Sequence, residues 1–106
     1  MRKIDCWIIT KNVEYPNNEP SASYPLRICE SETFAQELLQ SVFDDANKNR
    51  WTKFGTYSNP IWLNDETLQV KCTCRIGWMT FQTTETYHIT PCDNDNLFSK
   101  QIWINS

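Results

Sequence analysis

The alternation of apolar and polar residues between Leu68 and Trp78 constrains the fold more than any other feature of this chain. Every second residue is apolar, and polar residues or glycine stand between them; the apolar set is Leu68, Val70, Cys72, Cys74, Ile76 and Trp78. Side chains of a β-strand point alternately to its two faces, so this pattern predicts a strand with one buried and one polar face. Such strands are typical of an antiparallel sheet covered on one side.

One amphipathic helix is predicted before this β-rich half. An i, i+4 spacing, widened by two further apolar residues, defines its apolar stripe: Phe34, Leu38, Val42 and Ala46, with Leu39 and Phe43. Ser31 or Thr33 can cap its N-terminus, and the segment 47–49 ends it. A stripe on one side only predicts that the helix packs one face on a sheet.

Further strands are predicted from shorter patterns at residues 3–10, 51–57, 61–63, 80–90 and 101–105. Turn-forming residues predict a turn at 64–66, a bend at 76–79, a polar loop at 91–99 and a long irregular loop at 11–25. The order of elements predicts one α+β domain over residues 1–106. We expect a mainly antiparallel, curved sheet of five to six strands with one helix packed on one face.

The bulk properties restrict where the protein acts and what it binds. The 106 residues carry a formal net charge of −3, and basic residues are scattered, so direct binding of nucleic acid is not expected. No apolar stretch approaches the roughly 20 residues that cross a membrane, and the N-terminus has no apolar signal region. With an odd number of cysteines, five, these features predict a cytoplasmic protein with reduced thiols.

Candidate catalytic and metal-binding residues are few. Cys72, Cys74, His88 and Cys92 could supply a tetrahedral zinc set, and His88 could act as a base beside a cysteine or Glu85. However, Cys72 and Cys74 fall in phase with the buried positions of their strand, where cysteine is a common core residue. No nucleotide-binding, nucleophile-elbow or metalloprotease motif occurs. We therefore predict no cofactor, no metal and no catalysis.

Aromatic residues suggest a binding surface instead. Trp62 and Trp103 each lie between two aliphatic residues; if those aliphatics face the helix, the tryptophans lie on the opposite face of the sheet. Tryptophan and tyrosine are enriched at interface hot spots. The predicted contact residues are Trp62, Trp103 and Tyr87, with a charged rim of Asp44, Asp45, Asp93 and Asp95.

These observations favour a small acidic binding protein that neutralises a partner protein by occluding its active or substrate-binding surface. Bacterial immunity proteins that protect against nuclease toxins, and phage-type inhibitors of host defence enzymes, are of this kind. The expected partner is a basic toxin or enzyme, and the free protein is expected to be a monomer or weak dimer. Two alternatives remain open: a small-ligand or weakly catalytic domain that uses His88, and a subunit of a homo-oligomer.

Overall fold

The computed structural model describes residues 6–16, 19–49, 51 and 55–92. Its elements are β1 (Cys6–Glu14), β2 (Ala22–Cys29), α1 (Glu32–Asn47), β3 (Thr56–Asn64), β4 (Thr67–Ile76) and β5 (Met79–Cys92). The strands form one antiparallel sheet in the order β2-β1-β5-β4-β3, open at both edges, and α1 packs on one face. The predicted α+β architecture is confirmed. The strand predicted at 101–105 lies outside the described residues.

The core lies between α1 and the middle of the sheet. Ala35, Leu39 and Ala46 of the helix are buried. They form one cluster with Cys29 of β2 and with five buried residues of the three central strands: Ile9, Leu68, Val70, Tyr87 and Ile89. The predicted stripe is corrected at its start, because Ala35 and not Phe34 faces the sheet. Phe34 is 37 % exposed, and the Arg27 guanidinium lies over its ring at 4.9 Å. At 16 residues, α1 is too short to cross a membrane, and no other helix occurs among the described residues.

Ser31 is the N-cap of α1. Its hydroxyl oxygen accepts a hydrogen bond of 3.1 Å from the backbone N–H of Phe34, one of the N–H groups that lack a partner within the helix. The helix ends within the predicted segment 47–49: Asn47 is its last residue, Lys48 is the C-cap, and Asn49 has the positive φ of 53° that often follows a helix end.

Removal of the cap is expected to destabilise the protein. Ser31→Ala deletes the acceptor of the Phe34 N–H, and we expect the free energy of unfolding to fall by about 1 kcal/mol in a urea titration. Ser41→Ala, an exposed substitution in the middle of the same helix, is the control and is expected to leave stability unchanged or slightly raised. Equal effects of the two substitutions would show that the cap is unimportant.

The region predicted as a loop at 11–25 is largely β-structure. β1 continues to Glu14 and pairs with β2, so only residues 15–21 connect the two strands. β2 was missed because it is an edge strand: most of its side chains are exposed, Pro25 lies within it, and the register shifts beside Pro25. Proline and an irregular register are usual at sheet edges and hide the alternation that identifies a strand.

The strand predicted at 61–63 and the last two residues of the one predicted at 51–57 belong to a single edge strand, β3, which runs through Ser58, Asn59 and Pro60. Trp51 makes only an isolated bridge with Thr56, and residues 52–54 lie outside the described residues. The register against β4 shifts between Ser58 and Ile61, where Asn59 adopts a positive φ of 50°. The predicted turn at 64–66 is confirmed, with the Glu66 backbone N–H donating to Asn64 Oδ1 at 2.8 Å. Both edges of the described sheet are therefore interrupted by proline and an irregular register.

The β4–β5 hairpin extends beyond its neighbours. β3 pairs with β4 only as far as Thr73, and β1 pairs with β5 only from Thr84 onward. Residues 74–83 consequently form a two-stranded ribbon, here called the arm, which no other strand of the described chain flanks. Its turn consists of Gly77 and Trp78, and the predicted bend at 76–79 is confirmed.

Candidate functional site

The tip of the arm exposes three large apolar side chains. Ile76 is 67 % exposed, Trp78 95 % and Met79 63 %. Single apolar residues are common on protein surfaces, but a contiguous apolar patch usually marks an interaction site. The patch stands at the end of a ribbon that α1 does not cover, so no described residue shields it.

The local sequence accounts for this presentation. Gly77 has φ of 61°, while no positive φ occurs at Trp78, the pattern of a two-residue hairpin turn with glycine first. The turn closes the pair Ile76–Met79 and places Trp78 at the outermost position of the sheet. The alternation therefore predicts the strand correctly but does not predict burial at its end, because Ile76 and Trp78 lie beyond the helix.

A cavity of about 390 Å³ opens at the base of the arm, on the same face of the sheet as α1. Tyr15, Tyr24 and Phe81 supply aromatic walls, and Arg75 lies beside them. The cavity exists because the helix covers only the part of this face that carries Ile9, Leu68, Tyr87 and Ile89. The apolar tip of the arm and the aromatic cavity at its base therefore lie at the same end of the sheet.

Beneath the cavity, Glu85 organises a buried polar network. Its Oε1 pairs with Lys11 Nζ and accepts a hydrogen bond of 3.1 Å from the Tyr87 hydroxyl. The Tyr57 hydroxyl lies 3.4 Å from the same oxygen and 3.1 Å from the Tyr87 hydroxyl. No buried side-chain nitrogen or oxygen in the described chain lacks a partner. The network therefore satisfies charges that could not otherwise be buried.

Three groups of this network have pKa values that are raised above their ordinary values. Burial raises the pKa of the Tyr57 and Tyr87 phenols above their ordinary value, so both stay neutral. Burial alone would lower the pKa of Lys11, but the hydrogen bond to Glu85 and its charge outweigh burial and raise it. These three groups therefore hold their protons across the neutral range.

Trp62 does not lie where the sequence argument placed it. It pairs with Leu68 and so shares the helix-facing side of the sheet, where its ring stacks on Phe43 with centroids 5.7 Å apart. Ile61 and Leu63 point the other way and are about half exposed. The prediction assumed that the aliphatic neighbours meet the helix, whereas the register shift in β3 turns the tryptophan toward it. Trp62 is 36 % exposed, and its contact with Phe43 ties it to the helix side of the sheet.

The other predicted contact residues are scattered. Tyr87 is 2 % exposed, so its ring lies in the core and is withdrawn as a contact residue. Asp44 is exposed on α1 and accepts a hydrogen bond of 3.1 Å from Gln40, and Asp45 is half-buried beside it. Neither aspartate belongs to the arm. Trp103, Asp93 and Asp95 lie outside the described residues.

The zinc set proposed from the sequence is split between the two faces of the sheet. Cys72 and Cys74 face the helix side, whereas His88 faces the other side, where its Nδ1 lies 2.7 Å from Thr67 Oγ1. Cys92 is buried with Cys6 and Ile8 on that second face. The described residues hold no cluster of three or more metal-ligating side chains. Glu85 and His88 likewise lie on opposite faces and cannot work as a catalytic pair.

No protein-family model, curated protein or solved structure matches this chain. Functional inference therefore rests on the geometry of the arm, the cavity and the network. Sequence reasoning missed the arm tip because Trp78 continues the alternation of a buried face. The position of Trp78 in a predicted two-residue turn could have revealed its exposure, because the two strands of a hairpin do not cover a side chain in their own turn.

Proposed function

We propose that this protein is a small, non-catalytic, cytoplasmic binding protein that neutralises a partner protein by covering its active or substrate-binding surface, with the arm as its main contact. The observation that carries the proposal is Trp78, which is 95 % exposed at the tip of a ribbon with no other role in the core. Tryptophan is the residue type most enriched at interface hot spots.

The energetics favour an intermolecular role for the tip. An aromatic side chain buries about 200 Å² when covered, which at about 25 cal/mol per Å² gives an upper limit near 5 kcal/mol before the costs of association. Within the described chain this contribution is not realised, because Trp78 contacts water. A two-stranded ribbon is also marginal by itself in water, and a partner that covers it supplies the missing packing.

Side-chain contacts are favoured over addition of a partner strand to the sheet. β2 contains Pro25 and β3 contains Pro60, and each strand has a register shift. Both features oppose continuous main-chain pairing along an edge. The arm contains no proline or register shift, but the outer edges that it leaves unpaired in the described chain are short, residues 74–76 and 79–83, and its tip presents side chains at a turn.

The acidic charge of the protein is expected to contribute to binding as well, through long-range attraction of a basic partner. The net charge of −3, with Asp44 and Asp45 on α1, speeds encounter with a basic partner. The arm carries one charged residue, Arg75, so the contact at the tip is mainly apolar. We infer that the acidic groups steer the encounter and that the tip provides most of the affinity.

Trp78→Ala is expected to weaken the complex by 2 kcal/mol or more, about 30-fold in Kd, because it removes the central apolar anchor. The partner is first captured with tagged wild-type protein from a lysate of the source cells and identified by mass spectrometry. The affinities of the two proteins for the purified partner are then measured by calorimetry. The proposal also requires that the wild type inhibits the partner's activity at stoichiometric concentration.

Leu63→Ala is the matched control, because Leu63 is 54 % exposed and far from the arm. It lies on β3, beside the first residues of β4, whereas the arm begins at the other end of β4. The variant is expected to leave Kd unchanged. Equal losses from both variants, or none from Trp78→Ala, would reject the arm as the contact. Wild-type protein that sediments as a stable oligomer and becomes monomeric on Trp78→Ala would replace the proposal with the homo-oligomer alternative.

A further inference from the structure

Cys72 and Cys74 form a pair of thiols directed into one cavity. They stand two residues apart on β4, so their side chains emerge on the same face, and their sulfur atoms are 3.7 Å apart. Both line the cavity at the base of the arm, where Cys74 is partly exposed. A buried cysteine that only fills the core needs neither a second thiol within reach nor an opening to solvent.

The sulfur spacing suits a shared metal ion. With a metal–sulfur bond of about 2.3 Å, two sulfurs 3.7 Å apart subtend an angle of about 107° at the metal. A two-coordinate ion holds its sulfurs on opposite sides, which requires the pair to open by about 1 Å on the same bond length. Cys74 is partly exposed toward the cavity, which leaves space for its side chain to rotate.

The number of ligands selects among metals. Structural zinc takes four protein ligands, and the described residues around the cavity offer no such group. Copper(I) prefers soft thiolate sulfur and is satisfied by two such ligands. We therefore propose that Cys72 and Cys74 bind one copper(I) ion as a bis-thiolate site that opens to the cavity.

The charge around the cavity supports a monovalent ion. Its lining contains two cations, Lys11 and Arg75, and one carboxylate, Glu85, which leaves a surplus of one positive charge. Binding follows Cu⁺ + 2 RSH → [Cu(SR)₂]⁻ + 2 H⁺, with no change of oxidation state. The complex carries one negative charge, and because Lys11 and Glu85 pair with each other, Arg75 is the cation of the lining that can balance it.

The site is reached from the cavity through Cys74, which is partly exposed, because Cys72 is buried. This site is independent of the arm's proposed contact with a partner.

The test is an anaerobic titration of the reduced protein with copper(I) in competition with a chromophoric copper(I) chelator. We expect one copper ion per chain by native mass spectrometry, and two sulfur ligands by X-ray absorption. Cys74→Ala is expected to lower the affinity at least about 100-fold, because the second thiolate binds at high effective concentration. Cys74 is not fully buried, so this variant should keep its fold, which circular dichroism checks.

Cys6→Ala is the matched control. Cys6 and Cys92 face one another across β1 and β5, but both are buried and neither lines the cavity. This variant is expected to bind copper as the wild type does. Wild-type protein that fails to compete with the chelator, or a loss of binding in Cys6→Ala with none in Cys74→Ala, overturns the proposal.

Discussion

Glu85→Ala is expected to lower the free energy of unfolding by about 3 kcal/mol, measured by urea denaturation at pH 7. The substitution leaves the Lys11 ammonium without its counter-ion and removes the carboxylate acceptor of the Tyr57 and Tyr87 hydroxyls, only one of which can still donate to the other. The side chains of Lys11 and Glu85 are only 12 % and 6 % exposed, so water compensates little. We expect the lower end of the range for broken buried pairs because the neighbouring cavity gives Lys11 some access to solvent.

Two variants separate the causes of this loss. Glu85→Gln retains a hydrogen-bond acceptor without the charge and is expected to fall between the wild type and Glu85→Ala. The double variant Lys11→Met/Glu85→Leu removes both charges and is expected to recover most of the stability, since apolar pairs often replace buried ion pairs without loss. Glu14→Ala, at an exposed position of β1, is the control. A double variant as unstable as Glu85→Ala would contradict the assignment of the loss to an unpaired Lys11.

Gly55→Ala is expected to destabilise the protein by about 3 kcal/mol or more. A Cβ atom at this position would lie 2.1 Å from the Thr73 carbonyl oxygen and 3.2 Å from Cys74 Cα. These are backbone atoms of β4, so the clash cannot be relieved by rotation of a side chain. The φ of 155° adds strain for any residue with a side chain. Thermal and urea unfolding of the variant measure the effect.

The second glycine of the chain provides the comparison. Gly77 also has a positive φ, 61°, but a Cβ atom there would meet nothing within 4 Å. Gly77→Ala should therefore show backbone strain alone, about 1–2 kcal/mol. The difference between the two variants isolates the steric contribution at Gly55. If Gly77→Ala proved the more harmful, the close approach of residue 55 to β4 would be wrong.

The fold could be predicted from the sequence wherever a side-chain pattern reflects burial on one face. The alternation from Leu68 onward identifies β4, and the i, i+4 spacing that ends at Ala46 identifies the helix, although its most buried side includes Ala35 instead of Phe34. Edge strands carry no such pattern. β2 exposes Tyr24, Leu26 and Ile28 and includes Pro25, which made it indistinguishable from a loop.

The candidate site was less accessible to sequence reasoning than the fold. Orientation of Trp62 depends on a register shift in β3, and the exposure of Trp78 depends on where α1 stops covering the sheet. Neither is encoded in local periodicity. The Lys11–Glu85 pair joins residues 74 positions apart, and only the pairing of β1 with β5 brings them together. By contrast, Cys72 and Cys74 are neighbours on one strand, and their shared face follows from alternation alone.

If the protein acts through its arm, as proposed above, the interrupted edges have an evolutionary consequence. A partner that adds a strand to a sheet is bound through main-chain hydrogen bonds. These bonds do not depend on side chains, so such binding tolerates substitutions in the partner. Pro25 and Pro60 oppose that route, and contact then depends on the side chains that surround one tryptophan. A partner can escape through a single substitution opposite Trp78. We therefore expect the arm to vary faster between related chains than the buried residues around Leu39, as each follows the changes of its own target.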